Sequence, residues 1–109
     1  MTAPTGTFLA RVRDGIIQLP APVKRYCDAE AWTLFRFIIM GEDRVTIRPV
    51  FPGETSPFHA SLSGEGQLWV PAGLRTQVSL GEQSVMLRIE DGAISMYLRK
   101  LFDTLGFRP

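Results

Sequence analysis

The stretch that decides the fold occurs twice, first as GIIQLPAPVKR at Gly15–Arg25 and again as GQLWVPAGLR at Gly66–Arg75. Each copy begins with a glycine, continues through a short apolar segment to a proline, and reaches a cation after a branched apolar residue. The glycines, the prolines and the first cations of the two copies are each separated by 51 positions. This constant offset predicts an internal duplication in a chain of 109 residues.

Alternating hydrophobicity predicts strands on both sides of the first copy. In TFLARVR, three apolar residues alternate with Leu9, Arg11 and Arg13, which is typical of a strand with one buried face and one basic face. The Asp-Gly dipeptide that follows is a hairpin signal. Pro20 suits the first turn of a helix, so PAPVKRYC is predicted to be a short helix, with strands after it in AWTLFRFIIM and RVTIR.

The second half follows the same order of elements, with a helix in PAGLRTQV and a closing hairpin in QSVMLRIE and AISMYL. We therefore predict a mainly β fold with short helices, made of two tandem β-β-α-β-β half-repeats at about 7–50 and 57–99 and a proline-rich linker at 51–56. One half-repeat is too small to maintain its own core, so we expect both to close one pseudo-twofold barrel in a single domain, 1–109. Apolar residues at helical spacing predict a C-terminal helix at about 98–106.

The charge and the cysteine content limit the class of protein. The formal net charge is +1, which gives no overall field to attract nucleic acid or an anionic membrane. Residues 1–27 nevertheless hold four cations against Asp14, a local charge of +3. One cysteine excludes an internal disulfide, no apolar run is long enough to span a bilayer, and no signal-peptide pattern is visible. These features predict a cytoplasmic protein without a membrane partner.

The order of strand, glycine turn, strand, P-A-x-L-R helix and closing hairpin resembles the AbrB/MraZ swapped-hairpin (SpoVT-AbrB) family. GEGQLWVPAGLRTQVSLGEQSVMLRIEDGAISMYL carries the closer match, and RDGIIQLPAPVKRYC with EDRVTIRP carries the weaker one. Two copies in tandem resemble MraZ more than the single-copy AbrB type. The resemblance implies a pseudo-twofold β barrel, double-stranded DNA as the partner, a role in transcription regulation, and assembly into a homo-oligomer.

The resemblance also implies where DNA would bind, because the family places basic residues around the glycine turn and after the proline helix. Lys24 with Arg25 in the first copy and Arg75 in the second match the cations after the helix, and the nearby Arg11 and Arg13 could replace part of the turn charge, so these five residues are the predicted DNA contacts. Arginine and lysine supply phosphate contacts, and arginine also recognises guanine edges.

Two features depart from the family pattern. The family's arginine directly after the turn glycine is replaced by Ile16 in the first copy and by Gln67 in the second. The acidic residue that the family has three positions before this glycine is replaced by Val12 and Ser63. The fold therefore transfers better than the function, and a solvated basic face is the alternative interpretation.

Two other functions remain open at this point. The same barrel could be a protein-interaction or oligomerisation module whose DNA face has decayed; Trp69, on the outer side of its strand, would then be an anchor unless the C-terminal helix covers it. Alternatively, Arg44 and Arg48 in RVTIR, followed by the serines and Gly66 of SLSGEG (Ser61 and Ser63), resemble the motif pair of PilZ domains, which bind cyclic dinucleotides.

An enzyme is not expected. Cys27 matches Val78 at the end of the short helix and is predicted to be a core residue, so a catalytic pair with His59 has little support. One cysteine and one histidine cannot complete a zinc site, and the glycines match no phosphate-binding loop. The sequence thus predicts no catalytic residue, no metal and no cofactor.

Overall fold

A computed structural model describes residues 2–51, 53–54 and 58–98, which form antiparallel strands and two short helices. The strands are β1 (Phe8–Arg13), β2 (Ile16–Gln18), β3 (Leu34–Ile39), β4 (Arg44–Pro49), β5 (His59–Ser61), β6 (Gln67–Trp69), β7 (Gln83–Glu90) and β8 (Ala93–Tyr97). The helices are α1 (Ala21–Ala29) and α2 (Ala72–Gln77). The predicted mainly β fold with short helices is confirmed at this level.

All eight described strands belong to one sheet in the order β5-β3-β4-β8-β7-β1-β2-β6. Leu62, just after β5, forms an isolated antiparallel bridge with Leu68 of β6, so the two ends of the strand order meet. The sheet therefore curls into a nearly closed barrel. Closure of this kind leaves few unpaired strand edges exposed to other chains.

Alternation along the strands fills the barrel interior. In β1, Ala10 and Val12 are buried while Leu9, Arg11 and Arg13 are exposed, as the period of two predicts. The inward side chains form one continuous apolar cluster, whose members with no exposed surface include Ile17, Phe35, Val45, Ile47, Leu68, Val85, Leu87, Ile94 and Met96. Each fully buried side chain of this size contributes about 1.5–3 kcal/mol of hydrophobic stabilisation.

Both helices begin directly after a proline, as predicted. Pro20 precedes α1 and Pro71 precedes α2. A proline is tolerated there because the first backbone N–H groups of a helix have no intrahelical acceptor. Val23, Cys27 and Leu74 are buried, and they attach the helices to the barrel interior.

Two hairpin turns of the barrel share the Asp-Gly sequence. Asp14 and Gly15 have φ of 53° and 75°, and Asp91 and Gly92 have φ of 54° and 69°. Positive φ at both central residues is the geometry that matches the twist of paired strands, and glycine adopts it without steric cost. The hairpins predicted at both dipeptides are confirmed.

Part of the predicted domain organisation concerns residues outside the described part of the chain. The C-terminal helix, beyond Leu98, and positions 52, 55 and 56 of the linker lie outside the described residues. Among the helices that are described, none is long and apolar enough to cross a membrane.

Candidate nucleic-acid interface

The first predicted site residues lie on the outer face of β1. Arg11 and Arg13 are both exposed, and they stand opposite Ser84 of β7 and Ile16 of β2. Their position follows from the alternation of the strand, because Val12 between them occupies the interior. Two guanidinium groups therefore project from one strand next to the β1–β2 turn.

Arg75 reaches this same turn from α2, in the other half of the chain. Its Nε–H donates a hydrogen bond to the carbonyl oxygen of Val70 at 3.2 Å, and the Val70 N–H in turn donates to the Gly15 carbonyl at 2.8 Å. The guanidinium lies so close to Gly15 that a Cβ atom there would be 2.9 Å from Arg75 Cζ. The structure thus joins Arg13, Gly15 and Arg75 at one turn, which we name the first turn cluster together with Arg11.

A carboxylate also lies at this turn. Glu82, just before β7, accepts a hydrogen bond from the Asp14 backbone N–H at 2.8 Å through its Oε1 atom. It holds the turn in place and offsets part of the positive charge of the first turn cluster. No local pattern in the sequence indicates this role of Glu82, because the residue lies 68 positions from its partner.

Lys24 is less exposed than a DNA-contacting lysine is expected to be. Its side chain is 19% exposed, and its ammonium group pairs with the Asp28 carboxylate, with Nζ 2.6 Å from Oδ1. The aliphatic part lies over Gly66, where an added Cβ would be 3.4 Å from Lys24 Cγ and Cδ. Lys24 is half-buried because its stem covers the β5–β6 turn while its head stays near water.

Arg25, the next residue of α1, is exposed. It lies on the helix surface beside Lys24, and we name this pair the second turn cluster because Lys24 packs on the turn at Gly66. The sequence places all four cations of residues 1–27 in one hairpin–helix segment. In the structure α1 instead covers the turn of the second half, and α2 covers the turn of the first.

The spacing of the two turns follows from the β2–β6 ladder. Ile17 pairs with Leu68 at its centre, Val70 N–H donates to the Gly15 carbonyl at one end, and Leu19 N–H donates to the Gly66 carbonyl at the other. Gly15 and Leu19 are four residues apart in an extended segment, which at about 3.3 Å per residue separates the two turns by roughly 13 Å.

Polar and aromatic side chains occupy the outer face of β2 and β6 between the two clusters. Gln18 Nε2 donates to the Glu65 carbonyl at 2.8 Å, and Trp69 stands opposite Ile16 with 51% of its surface exposed. This outer face of β2 and β6 therefore has a hydrogen-bonding and aromatic centre between the two groups of basic residues.

The other residues considered from the sequence lie elsewhere. Cys27 is fully buried, and this burial raises the pKa of its thiol to about 11. His59 is exposed on β5. Within residues 2–51, 53–54 and 58–98, no group of three or more His, Cys, Asp or Glu side chains is arranged to hold a metal ion.

The residues of the PilZ-like pattern are divided between strands. Arg48 is exposed on β4 and Ser61 on β5, and β3 lies between these two strands in the sheet. Gly66 is covered by Lys24. The pattern therefore does not converge on one continuous turn.

Comparisons with known proteins assign no family to the chain. No protein-family model matches the sequence, and no curated protein matches it.

Proposed function

We propose that the protein is a double-stranded DNA-binding transcription regulator that acts in the cytoplasm. The observation that carries this proposal is the placement of basic residues at two turns whose backbones lie roughly 13 Å apart across the β2–β6 ladder. This separation is comparable to the width of the DNA major groove, about 12 Å. Phosphates on the two sides of one groove could then contact the two clusters.

The chemistry of the clusters suits phosphate. Arg11, Arg13 and Arg25 are exposed, and the salt bridges seen between described residues involve Lys24 and Arg36. An exposed arginine loses little when it exchanges water and dissolved anions for a DNA phosphate. Arg75 is held by its bond to Val70, so it would meet a phosphate with little loss of side-chain entropy.

We also infer that the two halves, about 7–50 and 57–99, are related by a pseudo-twofold axis. Adding 50 to the residue numbers of β1 and β3 gives the residues of β5 and β7. For β2 and α1 the corresponding number is 51, which leads to β6 and α2, and for β4 it is 49, which leads to β8. Under these shifts the pair Ala10↔Val85 becomes Ala60↔Phe35, which is also a pair in the sheet.

The other ladders support the same relation. Under the same shifts, each residue of the pair Ile17↔Leu68 takes the place of the other, and the pair Val45↔Met96 becomes the pair Ile94↔Ile47. The approach of Arg75 to Gly15 exchanges with the approach of Lys24 to Gly66. A protein with this symmetry would favour a pseudo-palindromic DNA site, and a homo-oligomer would bring several such faces to one DNA molecule.

A protein-interaction barrel is the second candidate function. Leu9 and Trp69 support it, because 69% and 51% of their surfaces are exposed on the outside of the barrel. Exposed aromatic residues are common anchors at protein interfaces. This candidate predicts no dependence of function on the turn arginines.

The experiment that separates the two is a binding titration with random duplex DNA, using the unaltered protein and the variant Arg13→Ala with Arg75→Ala. We expect the unaltered protein to bind and the variant to bind more weakly, with the largest difference at low salt. The control is Arg88→Ala, an exposed arginine on β7 outside both clusters. Equal binding by all three proteins would contradict the proposed interface.

A further inference from the structure

A row of basic side chains crosses three neighbouring strands on another part of the barrel. Arg36 of β3 stands directly opposite Arg48 of β4 on one side and His59 of β5 on the other. Directly opposed residues of an antiparallel pair have Cβ atoms about 4.5–5.5 Å apart, and like charges at this distance destabilise the sheet. We name the arrangement Arg48–Arg36–His59 the β3 row. A bound anion would reduce the repulsion between its charges.

The protein itself satisfies this requirement only in part. Arg36 Nη1 lies 3.7 Å from Glu54 Oε2, which is longer than a charge-assisted hydrogen bond of about 2.7–2.9 Å. The other carboxylate oxygen of Glu54 accepts a hydrogen bond from the Phe51 backbone N–H at 2.9 Å. The Arg36 guanidinium is thus paired with one loosely placed carboxylate that is already bonded to its own loop.

Arg36 also carries a donor with no acceptor among the described residues. Its Nε atom is buried and has no hydrogen-bond partner in that part of the chain, although 28% of the side chain is exposed. A buried N–H without an acceptor costs free energy, and groups of this kind in native structures call for an explanation such as an ion that binds there. The Nε donor without an acceptor therefore belongs to the same arginine that stands opposite Arg48.

We propose that the β3 row is a binding site for a phosphate-type oxyanion, held by Arg36 and Arg48 with His59 beside them. A phosphate group carries enough oxygen atoms to accept from two planar guanidinium forks at once. Arg48 is exposed and supplies the accessible fork, while the partly buried Arg36 supplies a fixed one. The shared chemistry is the phosphoryl oxyanion, which either a small phosphate compound or a DNA backbone can provide.

This site is separate from the first turn cluster. In the sheet, β4, β8 and β7 stand between β3 and β1, which carries Arg11 and Arg13. Substitution of Arg36 or Arg48 therefore leaves the first turn cluster unchanged, and failure of either proposal is visible without failure of the other.

The test is a titration of the full chain with inorganic phosphate at constant ionic strength, followed by phosphorus NMR and calorimetry. We expect saturable binding, weakened about tenfold in Arg48→Gln, because a hydrogen bond to a charged group is lost. Arg36→Lys keeps the charge but removes the Nε donor, so we expect it to weaken binding as well. Arg88→Gln, an exposed arginine on β7, is the matched control and should bind as the unaltered protein does.

Circular dichroism and thermal unfolding of each variant show that it is folded before the titration is interpreted. Absence of saturable binding by the unaltered protein, or equal affinity in Arg48→Gln, would overturn the proposal. Full affinity in Arg36→Lys would overturn the role of the orphan Nε donor. Competition then identifies the source: a short DNA duplex that displaces phosphate supports a backbone ligand, and displacement by a nucleoside monophosphate alone supports a small one. If neither displaces it, a phosphoryl site is contradicted.

Discussion

At the scale of single residues, Gly15 joins the fold to the proposed interface. Its φ of 75° belongs to the left-handed region, and the Arg75 guanidinium occupies the space that a side chain would need. Glycine is therefore required twice at this position, once for the hairpin turn and once for the approach of the arginine.

Replacement of this glycine by alanine should separate the two requirements. We expect Gly15→Ala to lower the free energy of unfolding by about 1–2 kcal/mol, the cost of alanine in the left-handed region, and to displace Arg75. Gly92→Ala is the matched control, because it sits in the same kind of Asp-Gly turn with φ of 69° and no atom within 4 Å of its added Cβ. Chemical denaturation should show similar losses of stability for both variants.

Their DNA affinities should differ. Only Gly15→Ala disturbs the first turn cluster, so only this variant should bind duplex DNA more weakly than the unaltered protein. A loss of DNA affinity in Gly92→Ala of the same size would contradict the role of Arg75 at the turn.

The buried thiol of Cys27 makes a second prediction at this scale. Burial, followed by the nearby Asp28 charge, raises the pKa of the thiol from its ordinary value of 9.0 to about 11. The unfolded chain loses this proton near pH 9 while the folded protein keeps it, so the free energy of unfolding should fall as the pH rises from 9 to 11.

Cys27→Val should remove that part of the pH dependence at a cost below about 1.5 kcal/mol near neutral pH, as volume-conserving swaps do. Denaturation curves of both proteins across this pH range provide the measurement. Rapid labelling of the native thiol would show instead that Cys27 is accessible.

At the scale of secondary-structure elements, the outer face of β1 makes the next prediction. Each phosphate contact contributes about 0.9 to the slope of log affinity against log salt, so the double variant Arg11→Ala, Arg13→Ala should flatten the slope by about 1.8. The fold should remain, because both side chains point outward. Arg88→Ala on β7 is the control, and a slope unchanged by the β1 substitutions would exclude this strand from the interface.

The elements also show how far the sequence could be interpreted. Alternating side chains predicted the strands of both halves, and Pro20 and Pro71 predicted both helix starts, because these signals are local. The half-burial of Lys24 was not predictable, since it depends on which turn α1 covers. The partner of that helix, the turn at Gly66, lies 42 residues along the chain from Lys24.

The same limit applies to the offset of 51 positions. In the proposed pseudo-twofold relation it holds for β2 and α1, whereas β1 would correspond to β5 at 50 positions and β4 to β8 at 49. The difference arises in the turns: the β7–β8 turn has two residues, and the corresponding β3–β4 turn has three between Met40 and Arg44. Insertions of one residue in turns are invisible to a fixed spacing, although they keep each inward side chain on the correct face.

At the scale of the whole molecule, the proposed pseudo-twofold relation places Ile17 and Leu68 in equivalent positions. Both are fully buried and they face each other in the β2–β6 ladder. We therefore expect Ile17→Ala and Leu68→Ala to cost similar amounts, each about 2–5 kcal/mol. The double variant should depart from additivity, because the two sites are in contact. Urea denaturation measures all three, and strongly unequal single losses would contradict the equivalence.

The proposed function depends on whether the barrel binds duplex DNA through charge. The most direct measurement is the affinity of the unaltered protein for random duplex DNA as a function of salt, starting from about 50 mM. With about four phosphate contacts per chain, log affinity should fall with log salt at a slope near −3.6. Absence of duplex binding at the lowest salt concentration would contradict the regulator proposal and favour the protein-interaction barrel.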